Sequence, residues 1–193
     1  LKDWNLMTCI VALVDRNTHI SYIGGERGAS DDSMIWKMAH PKIWREKGYL
    51  FGFVGVFAVE KLKHNFDPPP PPTYATDYQL DAFMNTTFID ALSSVYEEMH
   101  IDKNENGGLV IVVNNRIFVH NSEDMSVTMI GNDYISDGSG SGYAMGSLFT
   151  SEAWENKADR VSAALHAAIE FSPTCGGHVD ILSTEDWDWE SEL

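Results

Sequence analysis

The stretch Met7-Thr8-Cys9-Ile10-Val11-Ala12-Leu13-Val14-Asp15 decides how the rest of the chain is read. Its apolar run, Ile10 to Val14, reads as a strand buried on both faces. Thr8 stands two positions ahead of that run, directly behind Met7. If the Met7–Thr8 bond is cut, one residue carries both a hydroxyl and an α-amine. An α-amine has a reference pKa of roughly 7.7–8.0 and can accept a proton near neutral pH. The alternative is that Thr8 is a β-branched residue opening a strand. The strand alone does not separate the two.

Composition narrows the classes. The 193 residues suit one domain or at most two small ones, with 44% apolar and 22% charged residues as in ordinary globular chains. Twenty-nine acids against 13 bases give a net charge of −16, which repels a phosphate backbone and argues against nucleic acid as a partner. No apolar stretch approaches the roughly 18 residues of a membrane span, and the first residues lack a secretory pattern. With only Cys9 and Cys175, no disulfide framework is implied and a reducing cytoplasm is expected. The seven histidines show no H-x-x-x-H or close Cys-His spacing, so neither a metal nor another cofactor is expected.

Working outward, residues 1–7 read as a leader, a remnant, or residues upstream of a start at Met7. Asp15 to Thr18 has turn composition, and His19 to Ile23 pairs back as a hairpin that ends at Gly24-Gly25. Glu26 to Asp32 is a polar connection. Leu50 to Val56 is a second buried strand, whose Gly52 and Gly55 predict a bend or a close neighbour. Pro68 to Pro72 cannot be helical and predicts a stiff polyproline II loop; a docking site for a proline-binding module is the other reading. Leu80, Met84, Phe88, Leu92, Val95 and Met99 predict an amphipathic helix over about 79–100.

Strands at 109–113, 117–119 and 127–130 follow, the first two joined through Asn114-Asn115. Helices are predicted at about 142–153 and 156–170, the second stopped by Gly176-Gly177, and a last strand at 179–182. Residues 184–193 read as an acidic, solvated terminal extension; docking of Trp187 and Trp189 on a neighbour is the other reading. Runs of strands alternating with helical blocks give an α+β class.

Four segments carry chemistry when read together. They are Thr8-Cys9-Ile10-Val11 with its hairpin into Ile23-Gly24-Gly25-Glu26; Pro41-Lys42-Ile43; Asp137-Gly138-Ser139-Gly140-Ser141-Gly142-Tyr143-Ala144; and Cys175-Gly176-Gly177-His178-Val179-Asp180-Ile181. In this order the series resembles the proteasome β-subunit and HslV-like family of N-terminal-nucleophile hydrolases, from Thr8 to about Leu182. The resemblance implies a four-layer αββα sandwich of two antiparallel sheets flanked by helices, spanning residues 8–183.

The resemblance also assigns roles residue by residue. Thr8 matches the nucleophile. Lys42 matches the lysine beside that hydroxyl, whose charge favours the alkoxide. Glu26 stands where the family usually has an Asp paired with the lysine. Ser139 matches the serine ordering the protons around the terminal amine. The stretch Gly52 to Gly55 lies where an oxyanion N–H is expected. Ser172 stands where the β-subunits often have an Asp, and Cys175 replaces a serine.

The implied activity is a threonine endopeptidase acting on peptides or unfolded protein, within a homo-oligomeric ring and with a regulatory ATPase as a possible partner. Two alternatives remain at this point. One is a silent scaffold subunit with Thr8 capped by residues 1–7, and the other uses Cys9 as the nucleophile.

Overall fold

A computed structural model describes residues 8–30, 34–55, 57–103 and 107–185. The leader at 1–7 and the tail tryptophans Trp187 and Trp189 lie outside the described residues. The first half contains β1 (Ile10–Asp15), β2 (Ile20–Glu26), β3 (Gly28–Ser30), β4 (Ile35–Lys37), β5 (Ile43–Glu46) and β6 (Tyr49–Gly55). A 3₁₀ turn then runs into α1 (Leu62–Asn65), followed by α2 (Asp77–Phe83), a π turn at Met84–Phe88 and α3 (Ile89–Glu98). The second half contains β7 (Gly107–Val113), β8 (Arg116–Asn121), β9 (Ser126–Ile130), β10 (Tyr134–Asp137), α4 (Ser141–Thr150), α5 (Lys157–Phe171) and β11 (Val179–Ser183).

The strands form a four-stranded sheet, β10-β1-β2-β11, a five-stranded sheet, β5-β6-β7-β8-β9, and a small β3-β4 ribbon. All neighbours in the two large sheets are antiparallel. The alternation of side chains along β1 sets the layers. Ile10, Ala12 and Val14 point between the sheets, into a core with Ile23, Ile43, Leu50, Val110 and Val112. Cys9, Val11 and Leu13 point the other way, against Ala144 and Leu148 of α4 and Val161, Leu165 and Ala168 of α5. Beyond the second sheet, Tyr49, Phe51 and Phe53 of β6 pack with Leu80, Met84, Phe88 and Leu92. Each such side chain contributes roughly 1.5–3 kcal/mol on burial. Three cores between four layers give the αββα sandwich. Among the described residues no helix is long and apolar enough to cross a membrane.

Of the two glycines in β6, Gly52 marks close approach, while Gly55 ends the strand at φ +91°. A Cβ on Gly52 would lie 2.7 Å from Cγ2 of Ile10, so the two sheets meet here only because a side chain is missing. Gly24 and Gly25 do not end the hairpin; β2 runs through both to Glu26. The long helix covers Asp77 to Glu98 with a π turn in its middle, and a Thr76–Gln79 capping box starts it. Residue 171, not the glycine pair, ends α5, because Ser172 is extended ahead of Pro173. The Asn114-Asn115 turn holds positive φ at both residues (47° and 56°), as two-residue hairpins require. The prolines form a loop tied to the sheet end, with the Tyr49 hydroxyl donating to the Pro69 carbonyl (2.9 Å) and Asn114 Nδ2 to that of Pro72 (2.8 Å).

One core polar group stands apart. His120 on β8 is buried edge-to-face against the Tyr96 ring, with centroids 5.7 Å apart. Among the described residues neither of its ring nitrogens has a hydrogen-bond partner. Burial pushes the imidazole down to about 4, only partly opposed by Asp124. The unfolded chain, with an ordinary His near 6.5, therefore takes up a proton first as pH falls, and the fold loses stability from about pH 6.5 down to 4. Between pH 7.5 and 5 this costs about 2 kcal/mol. His120→Phe is expected to remove that increment from the pH dependence of urea unfolding, measured beside the unsubstituted chain at both pH values.

Candidate active site

Glu26, the last residue of β2, lies where four segments converge. Its carboxylate accepts hydrogen bonds from the backbone N–H of Cys9 (3.1 Å), Gly28 (2.6 Å) and Gly176 (3.0 Å). Lys42 Nζ donates to the same group at 2.6 Å, and both side chains are fully buried. The geometry leaves no room for substituents at the neighbouring glycine: a Cβ on Gly28 would sit 2.6 Å from Glu26 Oε2. The glycine pair near the C-terminus therefore supplies a donor to Glu26 through Gly176.

Lys42 precedes β5, and its carbonyl accepts from Phe53 N (3.1 Å), which fixes the backbone against β6. Its ammonium donates to Glu26 Oε1, to Thr8 Oγ1 (3.0 Å) and to the Gly28 carbonyl. Three donors meet three acceptors, so the buried cation is satisfied. Burial lowers the Lys42 pKa, and the Glu26 charge works against that shift. An ammonium fixed beside a hydroxyl oxygen stabilises negative charge developing there, while leaving the hydroxyl proton free to depart elsewhere.

The carbonyl of Thr8 is held from the opposite side. Gly140 N (3.4 Å) and Ser139 Oγ (3.5 Å) donate to it. Gly138 has φ +98°, and a Cβ there would lie 2.0 Å from the Thr8 oxygen, so glycine is required. Thr8, Lys42, Glu26 and Ser139 are thus brought together, with Ser139 contacting Thr8 at its carbonyl. Gly55, at φ +91°, lines a cleft of about 320 Å³ with Gly107, Asp137 and Gly138, whereas Gly52 faces the sheet interior.

One close neighbour of this cluster was not singled out from the sequence. Thr174 Oγ1 lies 2.8 Å from Ser139 Oγ and 2.9 Å from Ser172 Oγ. A loop threonine carries no signal of its own; its place just ahead of the Cys-Gly-Gly segment was the only pointer. Arg27 does not pair with Glu26 but makes a two-pronged bond to Asp180, 2.6 Å on each arm. Cys9 is buried, its thiol pushed up to about 12 by desolvation, and burial raises Cys175 as well. Both stay as thiols, which argues against Cys9 as the nucleophile. Among the described residues no three His, Cys, Asp or Glu side chains gather as metal ligands.

Comparison with solved structures finds this four-layer fold in known proteins. The chain is similar to Thiobacillus denitrificans BPH in complex with epoxomicin, at TM-score 0.70 and 17% identity, covering 90% of this chain and 97% of that one. It is similar to T. denitrificans BPH alone, at TM-score 0.70 and 18% identity over 90% and 96% of the two chains. A eukaryotic HslV from Trypanosoma brucei gives TM-score 0.65 and 14% identity over 91% and 98%. The chain shares the fold of these proteins. No family model and no curated protein matches the sequence.

The buried ion pair is expected to carry stability. Lys42→Met leaves a buried carboxylate with backbone donors alone, and is expected to lower the unfolding free energy by about 3–5 kcal/mol. Adding Glu26→Gln to that variant is expected to recover part of the loss, as measured by chemical denaturation of both.

Proposed function

We propose that the chain is a threonine peptidase whose nucleophile is Thr8, released as an amino terminus by cleavage of the Met7–Thr8 bond. The observation that supports this best is the Lys42 ammonium 3.0 Å from Thr8 Oγ1, in a fully buried pair with Glu26. In this reading the freed α-amine takes the hydroxyl proton and Oγ1 bonds to the carbonyl carbon of a peptide. The resulting oxyanion collapses, the C–N bond breaks, and the leaving amine receives the proton held by the ammonium of Thr8. Water then enters by the same route in reverse and hydrolyses the ester. Lys42 stabilises the negative charge that develops on Oγ1 during attack and again during release, and Glu26 holds Lys42.

Peptides or unfolded protein are the substrates this reading names, with a homo-oligomeric ring, a regulatory ATPase and a cytoplasmic setting as its context. These follow from the resemblance to the proteasome β-subunit and HslV-like family. A second reading rests on one observation: Thr8 is fully buried. A chain that keeps residues 1–7 would stay as a scaffold subunit, its hydroxyl out of reach of substrate.

Intact mass of the purified chain separates the two. A mature chain beginning at Thr8 is the expected result, and a chain retaining the leader supports the scaffold. Epoxomicin, which is bound by T. denitrificans BPH, is the matching probe. It is expected to add its mass to the processed chain and to add nothing to Thr8→Ala. Labelling of Thr8→Ala to the same extent overturns the assignment.

A further inference from the structure

We propose that Thr174 is a positioning residue that aims the Ser139 hydroxyl at Thr8 through a chain of three hydroxyls; the proposal rests on the peptidase reading above. Ser139 lies on an exposed loop, and a serine hydroxyl there rotates among its staggered positions unless something holds it. Thr174 Oγ1, 2.8 Å away, is its nearest side-chain partner, and the Cys175 sulfur is farther, at 3.9 Å. Thr174 is anchored in turn by Ser172, a buried residue whose Oγ lies 2.9 Å from Thr174 Oγ1. Pro173 stands between the two and fixes its own φ, while the Thr174 carbonyl accepts from Ser30 Oγ at 3.3 Å. The loop that carries Thr174 is therefore held at both ends.

The chain is built of neutral groups, and that determines what it can do. Each hydroxyl has one proton to give and two lone pairs. With all three protons pointing toward the site, Ser172 donates to Thr174, Thr174 to Ser139, and Ser139 to the Thr8 carbonyl oxygen, 3.5 Å away. With all three reversed, Ser139 donates to Thr174 instead and the Thr8 carbonyl oxygen loses this hydroxyl donor. A carbonyl oxygen can only accept, so the sense in which Thr174 donates to Ser139 is the one that keeps the Ser139 proton turned toward Thr8.

The experiment compares Thr174→Val, which keeps the shape and removes the hydroxyl, with Thr174→Ser, which restores the hydroxyl. Peptide hydrolysis and the rate of epoxomicin addition to Thr8 are measured, with thermal unfolding of each variant alongside. Thr174→Val is expected to lower kcat about tenfold with KM within twofold, and Thr174→Ser to recover to within about threefold of the starting chain. Ser172→Ala, which removes the far end without touching Ser139, is expected to give a smaller loss of the same kind and keeps the test open if Thr174→Val unfolds. Full activity in Thr174→Val, or equal impairment in the Val and Ser variants, overturns the proposal in favour of a packing role. Absence of epoxomicin addition to the processed starting chain overturns the peptidase reading itself, a result distinguishable from the other two.

Discussion

A carboxylate and an ammonium buried side by side are the constraint on which the molecule depends. Desolvating each ion costs several kcal/mol, and only close pairing with full hydrogen bonding offsets it. Glu26 meets that demand with three backbone N–H groups in addition to Lys42. Those donors come from the start of β1, the start of β3 and the loop ahead of β11. Satisfying one buried charge therefore fixes the relative positions of segments far apart in the chain. The ammonium does the same for its own neighbours, since one of its three acceptors is Thr8 and another is the Gly28 carbonyl.

The layers around this pair are arranged so that it stays dry. Ile10 projects between the sheets at the point where Gly25 and Gly52 have no side chains; a Cβ on either would come within 2.8 Å of it. The opposite face of β1 is covered by α4 and α5 through Cys9, Val11 and Leu13. Both thiols belong to that packed layer, and their raised pKa values follow from the same dryness. An overall charge of −16 sits on a fold whose central ion pair is itself neutral.

Much of this was legible in the sequence because the signals were periodic or punctuated. Ile10 to Val14 read as a strand buried on both faces, and both faces are covered. The helix near 79–100 was visible from its three- and four-residue spacing. Short strands such as β3, β4 and β10 were not visible, since three or four residues carry too little pattern and their pairing is decided by tertiary contacts. Glu26, Lys42 and Ser139 could be picked out only by resemblance, because no single one of them announces a site by type or spacing. Thr174 was singled out by neither route: its contacts with Ser139 and Ser172 arise from how the loop after Pro173 folds, and a lone threonine carries no pattern.

The way Thr8 is fastened has a further consequence. Its carbonyl is gripped by Gly140, and the next amide, that of Cys9, by Glu26. From Ile10 onward β1 is stitched into the sheet on both edges. All of these attachments lie on the downstream side of the Thr8 α-carbon. An end made by a cut just upstream would keep every one of them, inheriting its address from the sheet behind it.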